Sequence, residues 1–283
     1  MKAVVLGAGG QLGQCFKALQ QTTSQLEYEF YERSSMDISQ KEDFRQLDPS
    51  SVDVLINCAA YTQVDKAESE REAAHRINVA GVQNLANYAA RHGIPVVHFS
   101  TDYVFASAAG PIGESHPIQP INYYGQTKWE GEEVLRRSGV PHLIIRTSWL
   151  YSEYGHNFVK TMLRLSRDRS EISVVDDQTG SPTYARDLAA AVNDLLPAML
   201  DSNTSPWGTY HFANGGSTTW YGFAKKILKD QSIQVMPIPT SSYPTPARRP
   251  VYSVLDSSLF EQTFGWKIPE WEDALERCLR ELG

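Results

Sequence analysis

Short apolar runs alternate with longer amphipathic stretches through the first half of the chain. KAVVL (Lys2–Leu6), YEFYE (Tyr28–Glu32), VDVLINC (Val52–Cys58), PVVHFS (Pro95–Ser100) and HLIIR (His142–Arg146) read as five strands. Between them, QLGQCFKALQ (Gln11–Gln20), a long stretch ending at His92, and Tyr124–Arg137 carry helical spacing. Strands that are apolar along nearly their whole length belong to a parallel sheet covered on both faces. Right-handed crossovers then give an α/β, doubly wound sheet. The second half is richer in turn residues, as in DDQTGSPT, DSNTSPWG and PIPTSSYPTPARRP. Helices are expected near Tyr184–Leu196, Thr219–Lys229 and Glu270–Leu282. The expected division is a dinucleotide-binding domain over 1–147, with a segment near 184–200 returning to it. A smaller C-terminal substrate-binding lobe takes most of 148–183 and 201–283.

VVLGAGGQLG sharpens this picture. Gly7, Gly10 and Gly13 lie between the first strand and the first helix. Glycines there let the chain turn sharply and let backbone N–H groups at a helix N-terminus approach a pyrophosphate. The end of the second strand should meet the adenosine ribose, and it carries both Glu32 and Arg33. A carboxylate favours a 2′-hydroxyl and a guanidinium favours a 2′-phosphate. Arg33 can pair with phosphate while Glu32 turns away, so the expected cofactor is NADPH, with NADH as the alternative.

The candidate chemistry lies in HFSTDYVF and NYYGQTKWEGEE. Thr101 follows the carboxyl end of the fourth strand, where open α/β sheets bind ligands. Tyr124 and Lys128 are four apart, on one face of the next helix. A nearby ammonium stabilises a phenolate, and Thr101 can hydrogen-bond the same substrate oxygen, so the three residues suit carbonyl reduction. The spacing alone is weak: 14 Tyr and 10 Lys in 283 residues give about half a match by chance. Tyr221 and Lys225 in WYGFAKKI match it too, but without a glycine turn or a strand-end Thr. They read as packing and solvated positions. Arg248 and Arg249 in TPARRP can either clamp a diphosphate bidentately or tie the loop to nearby carboxylates.

A net charge of −7 argues against a general nucleic-acid binder. No apolar run approaches a membrane span. Cys15, Cys58 and Cys278 show neither disulfide nor metal spacing, and the seven histidines do not cluster, so no metal is expected. The chain opens on a strand-like run rather than a signal-peptide pattern, which leads to the expectation of a cytoplasmic protein.

Together GAGGQLG, STDYVF, YGQTK, RTSWLY, VVDDQTGSPT and ARRP resemble the extended short-chain dehydrogenase/reductase superfamily and, within it, the dTDP-4-dehydrorhamnose reductases. The resemblance spans nearly the whole chain and implies a Rossmann-like fold. It implies NAD(P)H-dependent reduction of the C4 keto group of dTDP-4-dehydro-6-deoxy-L-mannose to dTDP-L-rhamnose. Tyr124 would give the proton, Lys128 would assist it and hold the nicotinamide ribose, and Thr101 would bind the carbonyl. Gly10, Gln11 and Leu12 would carry the pyrophosphate. Asp37 and Ile38 would flank the adenine, and Ala60, Tyr61 and Thr62 would line the cofactor. Asp102, Trp149 and Val64 would meet the dTDP-sugar, with Arg248 at its diphosphate. A homodimer is compatible with this reading, but Arg186 stands where some relatives place an interface metal-binding carboxylate. The alternatives are another nucleotide-sugar reductase or epimerase of the superfamily, or a non-catalytic cofactor-binding regulatory subunit. A dehydratase is disfavoured because no Glu follows Asp102. The two Tyr–Lys pairs separate by experiment: Tyr124→Phe should lower turnover by about 10²–10⁴-fold, and Tyr221→Phe should leave it nearly unchanged. An inactive Tyr221→Phe enzyme would mean that the pairs are assigned the wrong way round.

Overall fold

The computed structural model describes residues 1–20, 26–201 and 206–283. Its first five strands are β1 (Lys2–Leu6), β2 (Glu27–Tyr31), β3 (Val54–Asn57), β4 (Val96–Thr101) and β5 (His142–Thr147). Four short strands follow: β6 (Leu150–Tyr151), β7 (Glu171–Val175), β8 (Thr179–Gly180) and β9 (Thr183–Tyr184). The chain then returns as β10 (Gly208–His211), which pairs in parallel with β5. The central sheet is parallel throughout, in the order β10-β5-β4-β3-β1-β2. The strand order reverses between β1 and β3, so the ligand-binding crevice of this doubly wound sheet opens beyond Leu6 and Asn57. The β2–β3 crossover contains only 3₁₀ turns at Asp43–Gln46 and Pro49–Ser51 among its regular elements.

The continuous apolar strands are explained by burial on both sides. Ala3, Val5, Val54, Ile56, Leu143 and Ile145 feed one core, beneath α1 (Gln11–Gln20) and, further along the chain, the helix Ala185–Asp201. Val4, Leu6, Leu55, Val96 and Ile144 feed the other. The long helical stretch expected up to His92 is broken into α2 (Val64–Ala67), α3 (Arg71–His75), a π-helical turn (Arg76–Gly81) and α4 (Val82–His92). The π turn carries Asn78 inward, and Gly81 passes so close to Ile38 that a Cβ would lie 2.8 Å from Cγ1. Gly93 ends α4 with φ +68°, a left-handed cap suited to glycine.

Next come α5 (Tyr123–Arg137), α6 (Phe158–Asp168) and α7 (Ala185–Asp201). After β10 the chain forms β11 (Thr218–Thr219), α8 (Trp220–Ile227), β12 (Gln234–Ile238), α9 (Ser258–Phe264) and α10 (Trp271–Leu282). α7 packs on α1, and Tyr28 donates to Asn193 at 2.9 Å. β10 joins the same sheet, with α9 packed against it through Phe260 and Phe264. Within the expected turn DSNTSPWG, residues 202–205 lie outside the described residues. A third core joins Tyr151 and Tyr184 to side chains of α6, β7, α8 and α10 and forms the C-terminal lobe.

Helix α5 is held to the sheet by a buried ion pair. Glu132, fully buried, accepts from Arg146 of β5 at 2.7 and 3.0 Å and from Arg136 at 2.7 Å. Arg146 also stacks over Phe105, and its Nη1 lies 3.5 Å from His211 of β10. Removing one member of a buried pair leaves an unmatched charge, so Glu132→Ala should destabilise the fold by about 3–5 kcal/mol in urea titration.

Candidate active site

The turn after β1 depends on close backbone contacts. Gly7 has φ +77°, and a Cβ there would lie 2.5 Å from the backbone N of Ala59 at the end of β3. Gly13 meets Ala8 at a similar separation, which presses α1 onto the turn. Helix α1 begins at Gln11. Gly7 and Gly10 share a cavity of about 210 Å³ with Arg33, Asp37 and Ile38. Glu32 pairs with Lys17 at 2.8 Å, with its carboxyl group beside Gly9, while Arg33 remains exposed and pairs with Asp37 at 3.2 Å. The pocket thus has a basic group at its mouth and a glycine floor. Glu32 and Arg33 have different partners, Lys17 and Asp37.

A second cavity of about 860 Å³ shares the walls at Gly10, Ala59 and Ala60 and continues along the strand ends. Gln11, Leu12, Thr62, Val64, Thr101, Asp102, Tyr124, Lys128 and Trp149 all line it. Tyr61 does not stand in either wall. Its phenol donates to Glu70 at 2.8 Å and its ring packs behind the site with Ala67 and Ala74, because Asn78 captures its backbone from both sides. Arg248 is exposed and outside both walls, with its carbonyl accepting from Asn122 at 2.8 Å. Arg249 is tied to Asp65 at 2.7 and 3.0 Å, so at this position the carboxylate-bound reading of the loop is the one observed. Arg186 is bound by Glu153 and Glu281.

Tyr124 and Lys128 face the cavity from the first turns of α5. The N-cap is Asn122, whose side chain accepts from Gly125 N at 2.8 Å and donates to Arg248 O. Reading Asn as a cap before the helical run was open to the sequence. Gly125 is needed for another reason: a Cβ would lie 2.1 Å from Tyr103 O. This contact brings the helix against the Thr101–Asp102 segment. Asn78, also absent from the sequence reading, braces α5 by donating to Thr127 at 3.0 Å.

The electrostatics differ from the simple expectation of an ammonium lowering the phenol. Lys128 Nζ donates to Phe99 O at 2.6 Å. Burial pushes Lys128 down to about 8, opposed by Glu132 one turn later. Burial also pushes Tyr124 well above its ordinary value; Thr101 opposes the rise and Asp102 adds to it. Burial thus favours the neutral phenol, the form of a tyrosine that can donate a proton. Asp102 is raised to about 6 by burial, against the pull of Ser253 and Thr101, and Thr101 Oγ1 donates to it at 3.1 Å.

On the lobe side Trp149 has φ 46°, the one non-glycine with positive φ among the described residues. Its indole stacks on Trp220 with centroids 3.5 Å apart and leaves no room for a Cβ on Gly180. Strain of this kind persists where surrounding packing fixes the conformation, often at ligand walls. Tyr221 and Lys225 lie on α8, with Lys225 over the Tyr221 ring at 5.5 Å, and neither lines the cavity.

A glycine turn at the switch point and a Thr, Tyr and Lys gathered at the neighbouring strand ends define an NAD(P)H-dependent oxidoreductase of the extended short-chain type. The family model described as RmlD substrate binding domain matches residues 1–283. The dTDP-4-dehydrorhamnose reductase of Aggregatibacter actinomycetemcomitans is 40% identical over 285 residues, 97% of each chain. That of Sinorhizobium fredii is 40% identical and covers 99% of this chain and 97% of its own. Among solved structures, the Bacillus anthracis dTDP-4-dehydrorhamnose reductase in complex with NADP superposes with a TM-score of 0.91, 39% identity and 99% coverage of both chains. The Clostridium acetobutylicum ortholog gives 0.92, 37% identity and coverage of 100% of this chain and 99% of its own. The chain belongs to the dTDP-4-dehydrorhamnose reductase family.

Two outcomes follow from this geometry. Gly125→Ala should lower turnover by about 10²-fold or more by parting Tyr124 from Thr101, and near-normal rates would contradict the close-contact argument. The dissociation constant for NADPH should rise as pH increases through about 8, where Lys128 loses its charge, and Lys128→Met should remove that limb of the profile.

Proposed function

We propose that this chain reduces the C4 keto group of dTDP-4-dehydro-6-deoxy-L-mannose with NADPH to give dTDP-L-rhamnose. The observation that carries the reading is the single cavity running from the glycine turn to Thr101, Tyr124, Lys128 and Trp149. When bound, NADPH supplies the hydride. Gly7, Gly10, Gln11, Leu12 and Gly13 hold its pyrophosphate at the α1 N-terminus, where free N–H groups favour anions. Arg33 meets the 2′-phosphate, and Asp37, Ile38, Ala60 and Thr62 border the nucleotide.

Thr101 hydrogen-bonds the sugar carbonyl oxygen. Tyr124 transfers its phenolic proton to that oxygen as negative charge develops there. Lys128 offers an ammonium that stabilises the resulting phenolate and binds the nicotinamide ribose. Asp102 and Val64 border the sugar, and the Trp149 face packs on ring C–H groups. In this reading the lobe of 148–183 and 201–283 supplies most of the sugar-nucleotide contacts. Arg248, exposed on its anchored loop, meets the diphosphate from outside the cavity.

No described helix is long and apolar enough to cross a membrane, and Cys15, Cys58 and Cys278 are free thiols. The proposal places the enzyme in the cytoplasm. A homodimer belongs to it only in a form where Arg186, already neutralised by Glu153 and Glu281, needs no bridging cation.

The test is NADPH oxidation at 340 nm with dTDP-4-dehydro-6-deoxy-L-mannose generated in situ. Wild type should oxidise NADPH with dTDP-L-rhamnose as product, and Tyr124→Phe should not. Absence of oxidation by wild type with bound cofactor would overturn the substrate. Arg33→Ala should weaken NADPH about ten-fold and NADH less than about two-fold, and equal losses would remove Arg33 from the phosphate.

A further inference from the structure

The side chain of Gln11 reaches from the start of α1 to the segment that follows β6. Its Oε1 accepts from Asn157 Nδ2 at 2.8 Å and lies 3.2 Å from Ser152 Oγ, whose one proton it shares with Tyr154 O at the same distance. The orientation of Asn157 is fixed independently. Its Oδ1 accepts from Lys160 N as the cap of α6, so its Nδ2 must face Gln11, Ser152 O and Tyr154 O. Gly155, at φ +61°, passes so close over Gln11 that a Cβ would lie 2.9 Å from Cγ. Ser152, fully buried, follows β6 directly, and Trp149 precedes it. One short rigid segment therefore joins the strained sugar-facing Trp to the first residue of α1.

We infer that Ser152 and Asn157 are positioning residues that act through Gln11 to register the Trp149 wall on the pyrophosphate turn. The inference rests on the cofactor reading of that turn. Asn157, supported by the shared hydroxyl proton of Ser152, holds an amide oxygen off the phosphate path, where its partial negative charge would oppose the pyrophosphate. The same bonds hold the β6–α6 loop against α1, so ordering the turn orders the sugar-binding wall. The two sites are thereby coupled, each strengthening the other.

Gln11→Met keeps the length and removes the acceptor, whereas Gln11→Glu retains an acceptor. Backbone hydrogen exchange of residues 150–157 is measured on the full chain with and without saturating NADPH. NADPH should slow exchange about five-fold or more in wild type and Gln11→Glu, and less than about two-fold in Gln11→Met. Equal slowing in Gln11→Met, or none in Gln11→Glu, would overturn the inference. In turnover, Asn157→Asp, which keeps the Oδ1 cap on Lys160 N and removes the Nδ2 donor to Gln11, should raise the sugar-nucleotide KM about ten-fold with kcat within about two-fold, and an unchanged KM would likewise refute the latch. If wild type binds NADPH but does not turn over this sugar, the proposed substrate fails, while the exchange data still decide the latch.

Discussion

A carboxylate sealed from water has to meet positive charge, and in this protein that requirement sets how α5 lies on the sheet. Glu132 finds Arg146 on β5, and Arg146 in turn lies beside His211 on β10. Tyr124, Lys128 and Glu132 recur every four residues and share one helix face. Docking Glu132 onto Arg146 therefore turns Lys128 and Tyr124 toward the strand ends. The remaining contacts refine this pose. Gly125 lets the helix meet Tyr103, Asn122 caps it, and Asn78 braces its side.

Burial drives the chemistry in opposite directions at the two neighbours. It withholds ionisation from the phenol and weakens the ammonium. A proton donor that is difficult to ionise is suited to the reductive direction, in which the acceptor is an alkoxide. The Lys128 bond to Phe99 O satisfies one of its donors and leaves others available to a ligand. Desolvation and hydrogen bonds to the backbone thus organise the site.

The two halves meet through polar contacts rather than through a shared apolar core alone. Asp65 holds Arg249, Asn122 holds the carbonyl of Arg248, and Gln11 receives Ser152 and Asn157. Each joins a cofactor-side residue to a lobe segment. Polar interfaces of this sort specify register, because a misplaced partner leaves a buried donor or acceptor unmatched.

The five N-terminal strands, the glycine turn and the spacing that brings Thr101, Tyr124 and Lys128 to one cavity were legible in the sequence. Each is encoded locally, by an apolar run, a glycine spacing or a one-turn separation. The placement of Tyr124 in the cavity wall and of Tyr221 outside it was legible too, because the strand end at Thr101 is close to Tyr124 in sequence. Tertiary structure alone decided the rest. β10 is a four-residue strand whose place in the sheet depends on β5, far earlier in the chain. Helix α6 was visible in principle, through Phe158, Met162 and Leu165, but its role depends on Asn157 meeting Gln11, 146 residues away. Tyr61 turned out to pack behind the wall because Asn78, on a π turn that apolar periodicity does not reveal, claims its backbone. That Arg249 ties its loop to a carboxylate likewise depends on Asp65, a partner 184 residues distant. Local pattern encodes which elements form, whereas side-chain partners across the fold decide which residues reach the site.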